Sequence, residues 1–86
     1  MQIRLSRRAQ RYLERLDRPG QERIARALDR LASDPFHPDS KPLHGLAGDR
    51  VVRVGGLRIV YYVRADDSIV EVERIAPRGE VYRGLS

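Results

Sequence analysis

The sequence contains no cysteine and no tryptophan, one phenylalanine, two histidines and a single lysine. Each shortage narrows what the chain can be. Without thiols there is no disulfide framework and no thiolate metal site, and two histidines are too few to build an imidazole-based centre. Neither a cofactor nor a metal is expected. No apolar run approaches the roughly 18 residues that a membrane-crossing helix needs. The opening stretch MQIRLSRRAQ also carries charge where a secretory leader has its apolar segment. A cytoplasmic setting without membrane contact is therefore expected. The 86 residues leave room for one domain, 1–86, because a chain of this length buries only about 60–65% of its unfolded surface.

What is abundant is arginine. The formal charge is +5, and of 17 basic residues only Lys41 is lysine. Arginine stays protonated and presents a planar fork matched to phosphate, and a basic field concentrates polyanionic or acidic partners near the surface. The excess is concentrated early: residues 1–33 hold nine arginines against Glu14, Asp17, Glu22 and Asp29.

Ile3 and Leu5 alternate with polar neighbours, which predicts a short strand. Ser6 is placed to cap a helix whose apolar positions are Ala9, Tyr12, Leu13 and Leu16. The segment DRPG breaks that run, with Pro19 suited to the first turn of a second helix. Ile24, Ala27, Leu28 and Leu31 form its apolar stripe, with Arg23, Arg26 and Arg30 away from it and Glu22 spaced to pair with Arg26. Residues 33–49, with three of the five prolines, read as an ordered connecting loop. The remainder is rich in β-branched residues, with Gly55-Gly56 and Asp66-Asp67 as turn signals, and reads as a three-stranded meander. The expected fold is α+β: an N-terminal strand and a two-helix hairpin packed on one face of a small antiparallel sheet.

A two-residue turn at Gly55-Gly56 sets Val54 opposite Leu57 and Arg53 opposite Arg58. Like charges so opposed are destabilising. Val52, Val54, Leu57, Ile59, Tyr61 and Val63 then share an apolar face for the helices. A turn at Asp66-Asp67 puts Tyr61 opposite Val72 and Val63 opposite Val70. Glu71, Glu73 and Ile75 would then join the arginine face, with Glu73 diagonal to Arg58 and Glu71 diagonal to Arg64. Arg78 should emerge beside Arg53 and Arg58. Three converging guanidinium groups repel unless an anion sits among them, and a phosphate would serve. Tyr82 offers a ring on which an unstacked base could lie.

The stretches KPLHGL, RVGGLRIVYYV and RIAPRGEVYR, in this order and spacing, resemble the RelE/ParE superfamily of bacterial type II toxins over nearly the whole chain. That resemblance implies a RelE-like fold, a cognate antitoxin protein as partner and, for the RelE branch, ribosome-dependent cleavage of mRNA in the A site by attack of the 2′-oxygen on its own phosphodiester. By position, Arg53 corresponds to a basic residue near the attacking oxygen and Arg58 to the arginine that steadies the phosphorane. Arg78 corresponds to the arginine at the leaving oxygen, and Tyr82 to the tyrosine that orients the base. Lys41, His44 and Arg50 would be auxiliary RNA contacts.

The chain departs from the family pattern at three points. Arg53 stands where lysine is frequent, Ala76-Pro77-Arg78 replaces Gly-His-Arg, and Leu57 takes a place often held by tyrosine. An arginine cannot readily accept a proton at neutral pH, so Arg53 is expected to act by electrostatic stabilisation. Two alternatives belong to the same resemblance: a ParE-like toxin directed at DNA gyrase, and a catalytically inactive relative that retains antitoxin binding.

Overall fold

In the computed structural model, which describes residues 1–43 and 48–77, one strand and two helices precede four further strands. β1 spans Gln2–Leu5, α1 Arg7–Arg15, α2 Arg18–Ser33, β2 Ser40–Pro42, β3 Asp49–Val54, β4 Leu57–Arg64 and β5 Ile69–Pro77. Both helices start where short polar side chains can cap them. Ser6 Oγ accepts the Ala9 amide at 3.0 Å and Asp17 Oδ1 accepts the Gly20 amide at 2.8 Å, satisfying donors that the first helical turn leaves open. Ser6 also fastens α1 to the sheet, since its hydroxyl donates to the Glu73 carbonyl at 2.6 Å. On α2, Glu22 pairs with Arg18 at 3.8 Å rather than with Arg26 as its spacing had suggested.

The strands form one sheet in the order β1-β5-β4-β3-β2. Two features differ from the expected small antiparallel sheet. β1 runs parallel to β5, Gln2 against Ile69 through Leu5 against Val72, so the sheet is mixed. The α1–α2 hairpin carries the chain across one face, and the meander that follows ends alongside the first strand. The proline-rich loop also contributes an edge strand, β2, paired with β3. Three residues are too few for alternation to reveal, and Pro42 is tolerated at an edge where its missing N–H costs no ladder bond.

The predicted apolar face receives the helices. Ile59 and Tyr61 are buried with Val70, Val72 and Ile75 against Ala9, Ile24, Ala27, Leu28 and Leu31, while Val52, Val54, Leu57 and Val63 pack around them. The Tyr61 hydroxyl donates to the Pro35 carbonyl at 2.6 Å, tying the post-helix loop to the core. The register is as predicted from Arg64–Ile69 to Tyr61–Val72 and then shifts between Val60 and Tyr61. One extra residue in β5, a β-bulge at Glu73, places Arg74 opposite Val60 and Ile75 opposite Ile59. Ile75, expected on the arginine face, is therefore 1% exposed in the core. Burial of its side chain is what the bulge achieves, because uninterrupted alternation would have aimed it away from the helices.

Candidate functional site

The site is built at the tip of the β3–β4 hairpin. Gly55 has a φ of +59° while Gly56 is not left-handed, the sign pattern of a type II′ turn. This two-residue turn sets Val54 against Leu57 and Arg53 against Arg58, as predicted. On the other side of β3, Lys41 opposes Val51. Strand alternation sends Val54 and Leu57 towards the helices and Lys41, Val51, Arg53 and Arg58 to the opposite face. There Lys41, Val51, Arg53 and Arg58, with Pro38 and Asp39, line an open cleft of about 540 Å³.

Charge in this cleft is poorly balanced. Arg58 is only 8% exposed, and its Nη1 donates to its neighbour's carbonyl, Leu57 O, at 3.3 Å. Among the described residues no ion pair involves Lys41, Arg53 or Arg58. Asp39, on the cleft wall, meets His37 at 3.5 Å rather than any of these three cations, and the acids of β5 are engaged elsewhere. Glu71 meets Arg4 at 3.1 Å and Arg64 at 3.5 Å, so the expected Glu71–Arg64 pairing forms. Glu73 does not pair with Arg58. The bulge brings its carboxyl against Asp49 instead, and partial loss of hydration at this still-exposed residue, a hydrogen bond with Asp49 and the charges of Asp49 and Glu71 push its pKa up from 4.5 to about 7. The helix-free face thus has a cationic end at the hairpin tip and an acidic end around Asp49. Between them lies a small apolar patch of Leu43, Val60 and Ala76, with Val51 against it.

Of the residues singled out from sequence, the structure brings together Arg53, Arg58 and Lys41. It does not bring Arg50 to them. Opposite Tyr61, Arg50 lies on the helix-side face. Its guanidinium donates to Ser40 Oγ at 3.0 and 3.1 Å and to the Ser40 carbonyl at 3.2 Å, and sits 5.3 Å from the Phe36 ring centroid. His44, Arg78 and Tyr82 lie outside the described residues. Pro77, the residue before Arg78, is paired with Leu57 beside the Gly55-Gly56 turn. The sequence reading missed Asp39, which contributes a carboxylate to the cleft. Its only signal was proximity to Lys41, which gains meaning once Ser40–Pro42 is known to be a strand.

A second groove, of about 300 Å³, runs between α2 and β3. Its floor includes Ala27, Leu31, Val52 and Val54, and its rim includes Arg23, Arg26 and Arg30. Among the described residues no group of acidic, histidine or cysteine side chains is arranged to hold a metal ion, and no helix is long and apolar enough to cross a membrane.

The family model for the ParE toxin of type II toxin-antitoxin systems matches residues 3–82, and the chain belongs to this family, within the RelE/ParE superfamily of toxins. No curated protein matches the sequence significantly. Solved structures match it closely in fold. A YoeB/ParE toxin from Agrobacterium tumefaciens is 24% identical, with 91% of this chain and 99% of that one covered and a TM-score of 0.80. RelE in the archaeal RelE–RelB complex from Pyrococcus horikoshii is 22% identical over 91% and 94% of the two chains, with a TM-score of 0.79. The RelBE2 toxin–antitoxin complex from Mycobacterium tuberculosis matches at 28% identity over 90% and 96%, with a TM-score of 0.76.

Proposed function

We propose that this toxin is a ribosome-dependent endoribonuclease whose cleft at the β3–β4 hairpin tip holds the scissile phosphodiester of mRNA. One observation carries the reading: Arg53 and Arg58 are directly opposed across the hairpin, with Lys41 in the same cleft, and no described acid, Asp39 of the cleft included, forms an ion pair with any of the three. A fold that accepts such repulsion gains from an anion bound there.

The chemistry that suits this cleft is transfer within the RNA itself. The 2′-oxygen, giving its proton to water, forms a bond to the adjacent phosphorus as the bond to the 5′-oxygen breaks, and the departing 5′-oxygen takes a proton from water, leaving a 2′,3′-cyclic phosphate and a 5′-hydroxyl. Negative charge builds on the phosphoryl oxygens in between, and fixed guanidinium donors in a partly desolvated cleft stabilise that charge more than the ground state. Arg58, held by strand pairing on both sides and largely buried, is the preorganised donor; Arg53 stands beside the attacking oxygen. In this reading Arg78 stabilises the leaving oxygen and Tyr82 orients the neighbouring base. Lys41, His44 and Arg50 are auxiliary contacts, Arg50 acting from the opposite face of the sheet.

The partner in the resting state is an antitoxin. Several solved relatives are complexes of RelE with RelB, which supports this. The groove between α2 and β3, apolar below and arginine-rimmed above, suits an acidic amphipathic segment that orders as it binds.

A gyrase-directed activity is the competing reading, favoured by the ParE description of the matching family model. The two separate in paired assays. Added to a reconstituted translation mixture, the protein should produce discrete cuts in ribosome-bound message, abolished by Arg58→Ala, while gyrase supercoiling proceeds normally. Intact message together with blocked supercoiling would replace the ribonuclease reading with the other.

A further inference from the structure

A second cationic concavity, of about 390 Å³, lies between α1 and the end of β5. Arg7, Arg8, Arg11, Arg15 and Arg74 line it together with Tyr12, and none of the described acidic residues does. None of the five arginines has an ion-pair partner among the described residues. Arg7, Arg11 and Arg15 recur every four residues, so they stand on one side of α1 at steps of roughly 6 Å along its axis. Like charges at this spacing weaken a helix. Two of the arginines occupy the first turn of α1, which has no acidic residue, and that end of a helix already carries positive partial charge. Neither packing nor helix stability accounts for this arrangement, whereas an anion lying along α1 would.

We infer that this concavity binds the RNA phosphate backbone, as a sequence-independent station separate from the cleavage cleft. The proposal rests on the RNA-directed reading above. Two observations favour a nucleic-acid backbone over an acidic protein segment. Apart from the Tyr12 ring the lining offers little apolar anchor, because the bordering Ile75 and Ala76 are only 1% and 3% exposed; the α2–β3 groove, by contrast, has a floor of several apolar side chains. A peptide needs such anchors, while a phosphate backbone needs chiefly charge. The concavity also neighbours the cleavage cleft across one strand pair: Ala76 borders the concavity, and its partner Arg58 lines the cleft. One strand of RNA passing over the end of β5 would meet both.

The test is a salt series of anisotropy titrations of the full chain with a fluorescent single-stranded RNA whose 2′-positions are methylated, so that it cannot be cleaved. Each phosphate contact adds about 0.7 to the slope of log affinity against log salt for single strands. Arg11→Gln/Arg15→Gln should therefore flatten the slope by about 1.4, and Arg11→Lys/Arg15→Lys should restore it. The Gln variant should melt no lower than the parent, because it relieves repulsion along α1. An unchanged slope would overturn the proposal, as would loss of antitoxin binding with RNA affinity intact. Arg53→Gln/Arg58→Gln, run in parallel, tests the cleft separately. If that variant alone leaves the slope unaltered, the α1 station stands and the cleavage-site reading fails. If the parent shows no salt-dependent RNA binding, both fall.

Discussion

Arg53 and Arg58 are cross-strand partners one step in from the Gly55-Gly56 turn, and no described carboxylate pairs with either. Their Cβ atoms are therefore held about 5 Å apart by the ladder itself. The pair works against the fold and, on the reading above, for the chemistry.

Neutralising one member should separate these two effects. Arg53→Gln is expected to stabilise the protein by about 0.2–1 kcal/mol, which for a domain of this size raises the melting midpoint by roughly 1–8 °C. Cleavage of ribosome-bound message should fall at least about 100-fold, the usual cost of removing one donor from a charge-stabilising site. Calorimetry and primer extension on the same preparation test both halves. A variant that melts lower than the parent would show the guanidinium to be a structural contact.

The opposite end of the same face gives a pH dependence. Glu73 on β5 meets Asp49 from β3, with Glu71 on its own strand, while Tyr62 of β4 stands between Asp49 and Glu71 in the ladder. Because the Glu73 pKa is raised from 4.5 to about 7, the folded state holds this proton more tightly than the unfolded chain does. The stability associated with it is complete below about pH 4.5 and is lost as pH rises through about 7. Other carboxylates titrate over part of this range, so the informative quantity is the difference between parent and Glu73→Gln. The parent should lose ground to the variant steadily between pH 5 and pH 8 in thermal melts. A gap that is constant with pH would mean that Glu73 and Asp49 do not share a proton.

The same glutamate marks where the sequence stopped being readable. The hairpin register, the Ser6 cap, the proline-led start of α2 and the helix-facing set from Val52 to Val63 all followed from period-two alternation, turn signals and capping residues. Ile75 did not follow. A bulge leaves no trace in a run such as VEVERIA, because every residue in it is acceptable in a strand, and only the demand that Ile75 reach the core selects the shift. The parallel pairing of β1 was equally hidden, since alternation within a strand says nothing about its neighbour. At the site, the opposed arginines were legible because a two-residue turn dictates which side chains meet. The place of Asp39 was not, because it depends on the three-residue strand β2; Arg50 falls on the helix-side face by the same alternation, and what stayed hidden was its partners. The pairing of Arg50 with Ser40 and Phe36 requires contacts across the loop that no local pattern encodes.

The Tyr61–Pro35 hydrogen bond supplies a prediction about that loop. Tyr61 is fully buried, and its hydroxyl reaches the carbonyl of a residue 26 positions earlier. Tyr61→Phe keeps the ring and strands a buried acceptor, so a loss of about 1–3 kcal/mol is expected. Urea denaturation should show a lower midpoint with an unchanged m-value. Because Pro35 leads towards the segment carrying Asp39 and Lys41, amide exchange of residues 36–41 should quicken more than that of β4. Uniform quickening would mean that the bond contributes only to global stability.

Gly48 precedes β3 with a φ of +84°, and a Cβ built there would lie 2.6 Å from Cε2 of Tyr62. Two distinct penalties therefore oppose Gly48→Ala: a left-handed backbone costs a residue with a side chain roughly 1–2 kcal/mol, and the methyl group meets an aromatic ring that must move. A double-mutant cycle separates them. Gly48→Ala in the background of Tyr62→Ala removes the collision and leaves the backbone strain, so alanine at 48 should cost less there than in the parent, yet more than nothing. Equal costs in both backgrounds would show that the Tyr62 ring swings aside freely, as its 40% exposure allows, and that conformation alone demands glycine at the entrance to β3. A cost that vanishes with the ring would show the reverse: the close approach of Tyr62, rather than the left-handed turn, is what keeps position 48 without a side chain.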